Sequence, residues 1–141
     1  MTKARILVVD DDRPTVLIIS SVLEKQGFQV FSACEGIEAL RLAVEAKPHL
    51  IILDIMMPGM DGYQVARRLK RSPETADIPV LMLSAKGDIT KRTQDPSRFA
   101  SRVQDRLEGF DSGAVDFLTK PVKGKDLVRR VKALLWAGGM F

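Results

Sequence analysis

The sequence has few of the residues on which several common classes of protein depend. It contains one cysteine, Cys34, and one histidine, His49, among 141 residues, so it can form neither an internal disulfide nor a histidine-based metal cluster. No apolar run approaches the ~18 residues that cross a membrane, and no charged and then apolar leader is recognisable. We therefore expect a protein of the reducing cytoplasm with no membrane partner.

Aromatic residues are also scarce, at 6% of the chain, and this affects how its basic character is interpreted. The net charge of +4 is concentrated in residues 120–132, where six basic residues accompany only Asp126. No aromatic side chains interleave with these charges to stack on bases, and no helix pair is left for a helix-turn-helix. A solvated basic helix face is therefore favoured over direct nucleic-acid binding.

The apolar residues that are present form short aliphatic runs separated by segments of helical spacing. Hydrophobic residues make up 45% of the chain, enough for the core of one domain spanning residues 1–141. The predicted strands are residues 6–9, 29–33, 50–53, 80–83 and 116–119. Their alternation with about five helices predicts an α/β fold in which helices cover both faces of a parallel sheet.

Polar residues close these predicted strands. In an open α/β sheet the functional site lies outside the carboxyl ends of the strands. The residues that converge there are Asp10, Asp11, Asp54, Ser84 and Lys120. Each has an ordinary alternative, such as a surface position for Lys120, but their joint placement favours one site.

Three consecutive carboxylates, Asp10, Asp11 and Asp12, follow the first strand. At ~4 Å and an effective dielectric near 20, each close pair would cost roughly 4 kcal/mol. Asp12 is explained as the N-cap of the first helix, with Pro14 in its first turn. For the remaining pair we expect a cation nearby.

Four motifs, in order, carry a family resemblance. VVDD at residues 8–11, LDIMMPGMDG at 53–62, LMLSA at 81–85 and GAVDFLTKP at 113–121 resemble the receiver domain of response regulators in two-component signalling. The resemblance implies a flavodoxin-like, doubly wound sheet of five parallel strands in the order 2-1-3-4-5. It also implies a signalling protein that catalyses only its own phosphorylation and dephosphorylation.

The resemblance assigns roles to the residues of the site. Asp54 corresponds to the phosphoryl acceptor, which takes its phosphoryl group from a sensor histidine kinase or a histidine phosphotransfer protein. Asp10, Asp11, Asp54 and the main-chain carbonyl of Met56 correspond to the Mg²⁺ ligands, and oxygen donors of this kind suit that ion. Lys120 corresponds to the cation that reaches the phosphoryl group.

The resemblance also implies a switch and a cis peptide bond. Ser84 corresponds to a hydroxyl that moves toward the phosphate, and Phe117 to an aromatic side chain that turns inward with it. A cis bond is implied between Lys120 and Pro121. The surface formed by the fourth helix, fifth strand and fifth helix would then signal to a downstream protein or to an output domain.

Two alternatives come from other classes. A phosphatase of the haloacid dehalogenase type also has an Asp-x-Asp, here Asp10 and Asp12, but wants Thr or Val where this chain has Pro14, and it leaves the later motifs unexplained. A receiver-shaped interaction module that no longer takes phosphate would usually lack an acid or the lysine. None of these residues is missing here.

One segment departs from the family pattern. Between Ala85 and the DRLEGFDSGA motif the chain carries about a dozen extra residues, within residues 86–104, beside the surface used for output. Phe99, Val103, Leu107 and Phe110 recur at helical spacing, which predicts a lengthened fourth helix over residues 96–110. No output domain follows the fifth predicted helix, so we expect either a stand-alone regulator or part of a longer protein.

Overall fold

The computed structural model describes residues 3–85 and 113–138, which form five strands and four helices. In chain order these are β1 (Arg5–Val9), α1 (Arg13–Lys25), β2 (Gln29–Ala33), α2 (Gly36–Ala46), β3 (Leu50–Asp54), α3 (Gly62–Arg71), β4 (Val80–Ala85), β5 (Asp116–Lys120) and α4 (Gly124–Ala137). Helix α4 is the predicted fifth helix. The predicted insertion at 86–104 and the lengthened helix at 96–110 lie outside the described residues.

The five strands form one parallel sheet in the order β2-β1-β3-β4-β5, as predicted. Strand β1 lies between β2 and β3, with Val9 opposite both Ala33 and Leu53. Asp54 lies opposite Leu83 of β4, and Ala85 lies opposite Lys120 of β5. The carboxyl ends of β1, β3, β4 and β5 therefore meet at one edge, where the polar residues were expected.

Alternating side chains of the strands supply two apolar layers, one on each face of the sheet. Ile6 and Val8 of β1 pack with α1 and α4, and Leu7 and Val9 pack with α2 and α3. All four side chains are fully buried. This double burial explains why the strands are aliphatic runs instead of alternating apolar and polar residues.

Helix boundaries follow local capping chemistry. Asp12 accepts a hydrogen bond from the Thr15 backbone N–H at 3.3 Å, which confirms it as the N-cap of α1. Asp61 caps α3, and Gln64 completes a reciprocal capping box with bonds of 2.9 and 3.1 Å. These caps fix where α1 and α3 start, next to the ends of β1 and β3.

Helix α2 packs small side chains against the sheet and leaves its larger apolar residues nearer to solvent. Ala39 and Ala43 are buried, whereas Leu40 is partly buried and Val44 is exposed. Within residues 3–85 and 113–138, no helix is long and apolar enough to cross a membrane.

Candidate functional site

The side chains of the three consecutive aspartates after β1 lie in three different environments. Asp10 is fully buried, and its Oδ1 accepts a hydrogen bond from the Asp12 backbone N–H at 3.0 Å. Asp11 is exposed to solvent. The Asp12 carboxylate caps α1 through Thr15, accepting hydrogen bonds from both its backbone N–H and its hydroxyl. Capping thus commits the Asp12 carboxylate to the start of α1, whereas the Asp10 and Asp11 carboxylates stay close enough to repel each other.

Lys120 lies between the two buried carboxylates of the site. Its Nζ is 2.7 Å from Asp10 Oδ2 and 3.2 Å from Asp54 Oδ1. The Asp10 contact has the distance of a charge-assisted hydrogen bond but not its angle, and is best described as an ion pair. The lysine at the end of β5 therefore bridges the ends of β1 and β3.

The site perturbs the protonation of Asp54 and Lys120. Burial, followed by the negative charge of Asp10, raises the pKa of Asp54 to about 7, although Lys120 acts in the opposite direction. Burial favours the neutral form of Lys120, but its contact with Asp10 and the charge of Asp54 outweigh this and raise its pKa. The positive charge of Lys120 therefore does not fully offset the effects of burial and of Asp10 on Asp54.

The loop that follows Asp54 approaches that residue closely. The Gly62 backbone N–H donates to the Ile55 carbonyl at 2.8 Å, and a Cβ at Gly62 would lie 2.4 Å from the Asp54 carbonyl oxygen. A larger residue at Gly62 would therefore push the start of α3 away from the site. Met56 is exposed beside the site, whereas Met57 covers the core.

The two predicted switch residues lie on neighbouring strands. Ser84, the residue after the position that pairs with Asp54, lies opposite Thr119 of β5. Phe117 is partly buried against the α2 and α3 layer. The contacts around Phe117 were not predicted from the sequence: Arg130 pairs with Asp116 Oδ2 at 2.9 Å and donates to the Phe117 carbonyl at 3.3 Å.

The donor set of the site fits a hard divalent cation. Asp10, Asp11 and Asp54 each offer a carboxylate oxygen, and these oxygens lie within 4.8 Å of one another. Carboxylate oxygens that leave room for water are the usual environment of Mg²⁺ in proteins. With Lys120 alone, the three carboxylates keep an excess of negative charge, and an added cation would offset it.

The response regulator receiver domain family matches residues 6–95 of this sequence. The chain belongs to this family. Receiver domains are signalling modules that accept a phosphoryl group in response regulators, not members of an enzyme family. They generally bind Mg²⁺ at an acidic pocket, and they imply kinase or phosphotransfer partners.

Relatives of known name support this assignment. The DNA-binding dual master transcriptional regulator RpaA of Synechocystis is 46% identical over 93% of this receiver domain chain, which covers 48% of that protein. The phosphate regulon transcriptional regulatory protein PhoB of Escherichia coli is 40% identical over 93% of the chain, covering 51% of PhoB. The chain thus spans about half the length of these relatives.

Solved structures agree with the fold of this receiver domain. The chemotaxis response regulator CheY4 of Vibrio cholerae superposes with a TM-score of 0.78 at 28% identity, covering 94% of this chain and 99% of that one. A response regulator from Desulfuromonas acetoxidans gives a TM-score of 0.71 at 33% identity, covering 95% and 98%. The flavodoxin-like fold expected from the sequence is confirmed.

Proposed function

We propose that Asp54 is the residue that receives the phosphoryl group in this receiver domain. The observation that carries the proposal is the contact of Asp54 with the partly buried cation that also pairs with Asp10, with Lys120 Nζ at 3.2 Å from Asp54 Oδ1. Asp10 is fully buried and held by Asp12 and Lys120, whereas Asp11 is exposed and has no such contact with Lys120. Asp54 ends β3 two residues before the exposed Met56, at the edge of the sheet from which a phosphoryl donor would approach.

The reaction is an in-line displacement at phosphorus. An Asp54 carboxylate oxygen forms the new bond to phosphorus, the P–N bond of a phosphohistidine breaks, and the imidazole leaves with the bonding electrons and takes up a proton. Lys120 Nζ supplies a fixed positive charge for the phosphoryl oxygens. The product is an aspartyl phosphate beside Lys120.

We further propose Mg²⁺ as the cation of the site. Asp10, Asp11, Asp54 and the main-chain carbonyl of Met56 would hold it. Bound there, Mg²⁺ would offset the repulsion between the carboxylates, keep Asp54 ionised and withdraw charge from the phosphoryl oxygens. The pKa of Asp54, raised to about 7 by burial and then by the charge of Asp10, supports this proposal, because a divalent cation beside the carboxylate would favour its ionised form.

The phosphoryl donor would be a sensor histidine kinase or a histidine phosphotransfer protein. A mostly apolar groove of about 400 Å³ borders Lys120 and could receive such a donor; it is lined by Thr15, Ile18, Ile19, Lys120, Pro121 and Val122. Ile18 and its neighbour Leu17 are large apolar side chains left exposed on α1, at 61% and 67%. Exposed apolar groups next to a reaction site suit a protein substrate.

Phosphorylation would be signalled through Ser84 and Phe117. We propose that the Ser84 hydroxyl moves toward the phosphate and that Phe117 turns further inward, which biases two arrangements of the β5 and α4 surface. That surface would contact a downstream protein or an output domain. Replacing Ser84 with alanine should weaken the response of amide NMR shifts near Phe117, and an unchanged response would refute this link.

Intact-mass measurement with acetyl phosphate tests the assignment of Asp54. The wild-type chain should gain one phosphoryl group in Mg²⁺ and almost none in EDTA, and Asp54→Asn should gain none in either. Asp77→Asn, an exposed change outside the site, serves as the control and should behave as wild type. Equal incorporation by Asp54→Asn would refute the assignment, and no incorporation by any variant would favour an interaction module that does not use phosphate.

A further inference from the structure

The basic residues of the C-terminal segment line a groove away from the phosphorylation site. It lies between α1 and α4, has a volume of about 450 Å³, and is lined by Val22, Lys25, Gln26, Gly124, Lys125, Val128, Arg129 and Lys132. A Cβ at Gly124 would lie 3.7 Å from the Val22 methyl groups, so the two helices come close there. We call this feature the α1–α4 groove.

The floor and the rim of the α1–α4 groove differ in chemistry. Val22 and Val128, both only partly buried, give the floor its apolar surface. The rim carries the four cations Lys25, Lys125, Arg129 and Lys132, and none of the described residues that line the groove carries a carboxylate. Apolar surface is thus open to solvent between positive charges on two different helices.

Most of these rim charges are unpaired within residues 3–85 and 113–138. Arg129 pairs with Asp126 at 2.8 Å, but its side chain remains 80% exposed. Lys25, Lys125 and Lys132 are exposed and form no ion pair with another described residue. Trp136, one turn beyond Lys132 on the same stripe of α4, is 69% exposed. Aromatic side chains are enriched at recognition surfaces, and charge of one sign steers and orients a partner of the opposite sign.

We propose that the α1–α4 groove binds an acidic, amphipathic segment of a partner protein. Apolar side chains of that segment would lie on Val22 and Val128, and its Asp or Glu side chains would face Lys25, Lys125 and Lys132. The chain outside residues 120–132 has a net charge near −1, and three of the four rim cations, Lys125, Arg129 and Lys132, belong to that basic segment. The surface is distinct from the phosphorylation site and from the groove beside Lys120.

Other occupants of the groove are less consistent with its chemistry. A second copy placed symmetrically on the groove would bring the same lysines against each other, which is unfavourable. Duplex DNA would satisfy the charges but offers little apolar surface for Val22 and Val128. An acidic segment with apolar side chains satisfies both parts of the groove.

An NMR titration of the isotope-labelled chain tests the proposal. The probe is a short synthetic peptide with glutamate and leucine at amphipathic helical spacing; a second peptide has serine for leucine, and short duplex DNA is a third probe. The leucine peptide should shift the amides of Val22, Gly124 and Val128 and bind more tightly than the other two. Shifts confined to other surfaces, tighter binding of DNA, or equal binding of the serine peptide would overturn the proposal.

Charge-reversal variants separate this groove from general basicity. Lys125→Glu with Lys132→Glu should weaken binding of the leucine peptide about tenfold, equivalent to about 1.4 kcal/mol. Arg68→Glu with Arg71→Glu, an equal charge change on exposed positions of α3, should have less than about a twofold effect. If the groove variant folds poorly, Lys125→Gln with Lys132→Gln gives the same comparison. Equal losses in the groove and α3 variants would contradict the proposal.

Discussion

Two kinds of ion pair in this molecule have similar lengths and very different surroundings. Lys120 Nζ lies 2.7 Å from Asp10 Oδ2, with exposed side-chain fractions of 23% and 0%. Arg41 Nη1 lies 2.9 Å from Glu45 Oε2 along α2, and both side chains are 57% exposed. By distance alone the two pairs would be expected to contribute equally to stability. Burial separates them, because a charge removed from water depends on its partner far more than an exposed charge does.

Lys120 also contacts a second carboxylate, that of Asp54, so one cation is shared between two buried anions. Such an arrangement is poor for stability, because desolvation and like charges both act against Asp54. It suits the proposed chemistry, because it places the proposed nucleophile, a cation and the proposed metal ligands at one edge of the sheet. The site is thus where the fold gives up stability for function.

The largest effect expected is from removing the buried cation. Lys120→Met keeps the length of the side chain but leaves Asp10 and Asp54 without their cation, so stability in EDTA near pH ~8 should fall by ~3 kcal/mol or more. Chemical denaturation measures this change. The control Lys123→Met alters an exposed lysine next to α4 and should stay within about 0.5 kcal/mol of wild type. Equal stability of the two variants would contradict the account.

The next effect concerns Asp54 and has a defined pH dependence. The folded state raises the pKa of Asp54 from 3.8 to about 7, so it holds a proton that the unfolded chain has already released. The resulting loss of stability grows as pH rises from about 4 to about 7, and then remains constant. Asp54→Asn removes the titrating group and should be more stable than wild type by ~3 kcal/mol near pH ~8; the full shift at ~1.4 kcal/mol per pKa unit corresponds to ~4 kcal/mol, and solvent screening at the sheet edge lowers it.

Denaturation curves in EDTA across this pH range measure the difference between Asp54→Asn and wild type. The difference should be small near pH ~4 and reach its maximum above pH ~7. Asp77→Asn supplies the control for a lost exposed carboxylate. A difference in stability that does not change with pH, or that shrinks as pH rises, would show that folding does not raise the pKa of Asp54.

A smaller stabilisation is expected from Mg²⁺. A ligand at about one hundred times its Kd stabilises the folded state by ~2.7 kcal/mol, which raises the melting temperature. Asp11→Asn should lose most of this response because it removes a ligand. Asp12→Asn makes the same charge change one residue away and keeps an N-cap side chain, so it should respond as wild type. An Mg²⁺ response that survives Asp11→Asn but not Asp12→Asn would place the ion elsewhere.

The smallest effect is expected at the exposed pair. Arg41→Gln removes the pair with Glu45 from the surface of α2 and should change the free energy of unfolding by no more than ~0.5 kcal/mol. Urea denaturation at low and moderate salt gives the value. A loss above ~1 kcal/mol would mean that exposure does not distinguish the two kinds of pair.

Much of this architecture follows from sequence because local and global patterns agree. The short apolar runs and their alternation with helical segments predicted five parallel strands, and the order of the strands followed from the resemblance. Strands β3, β4 and β5 end slightly later than predicted, with Asp54 and Lys120 as the last residues of β3 and β5. Asp12 was predicted as an N-cap and accepts the expected backbone hydrogen bond, and Asp61 does the same at the start of α3. Helix caps of this kind can be predicted because they depend on only a few neighbouring residues.

Most of the contacts that were not predicted depend on how separate strands, helices and loops pack together. Nothing in the sequence indicates that Lys120 would contact Asp10, 110 positions earlier, as closely as Asp54. The capping partner Gln64, the contact of Gly62 with β3 and the Arg130 pair with Asp116 were also missed. A signal existed only for Gln64, since it stands three residues after Asp61 in the capping-box pattern. The others require the register of the sheet.

The central claim is that Asp54 carries the phosphoryl group, and chemical mapping of the modified residue tests it most directly. After treatment with acetyl phosphate and Mg²⁺, borohydride would reduce an aspartyl phosphate to homoserine, which marks its position for peptide mass spectrometry. The account predicts homoserine at position 54 alone, in an amount that falls sharply when EDTA replaces Mg²⁺. Homoserine at Asp10, Asp11 or another carboxylate, with position 54 unchanged, would contradict it.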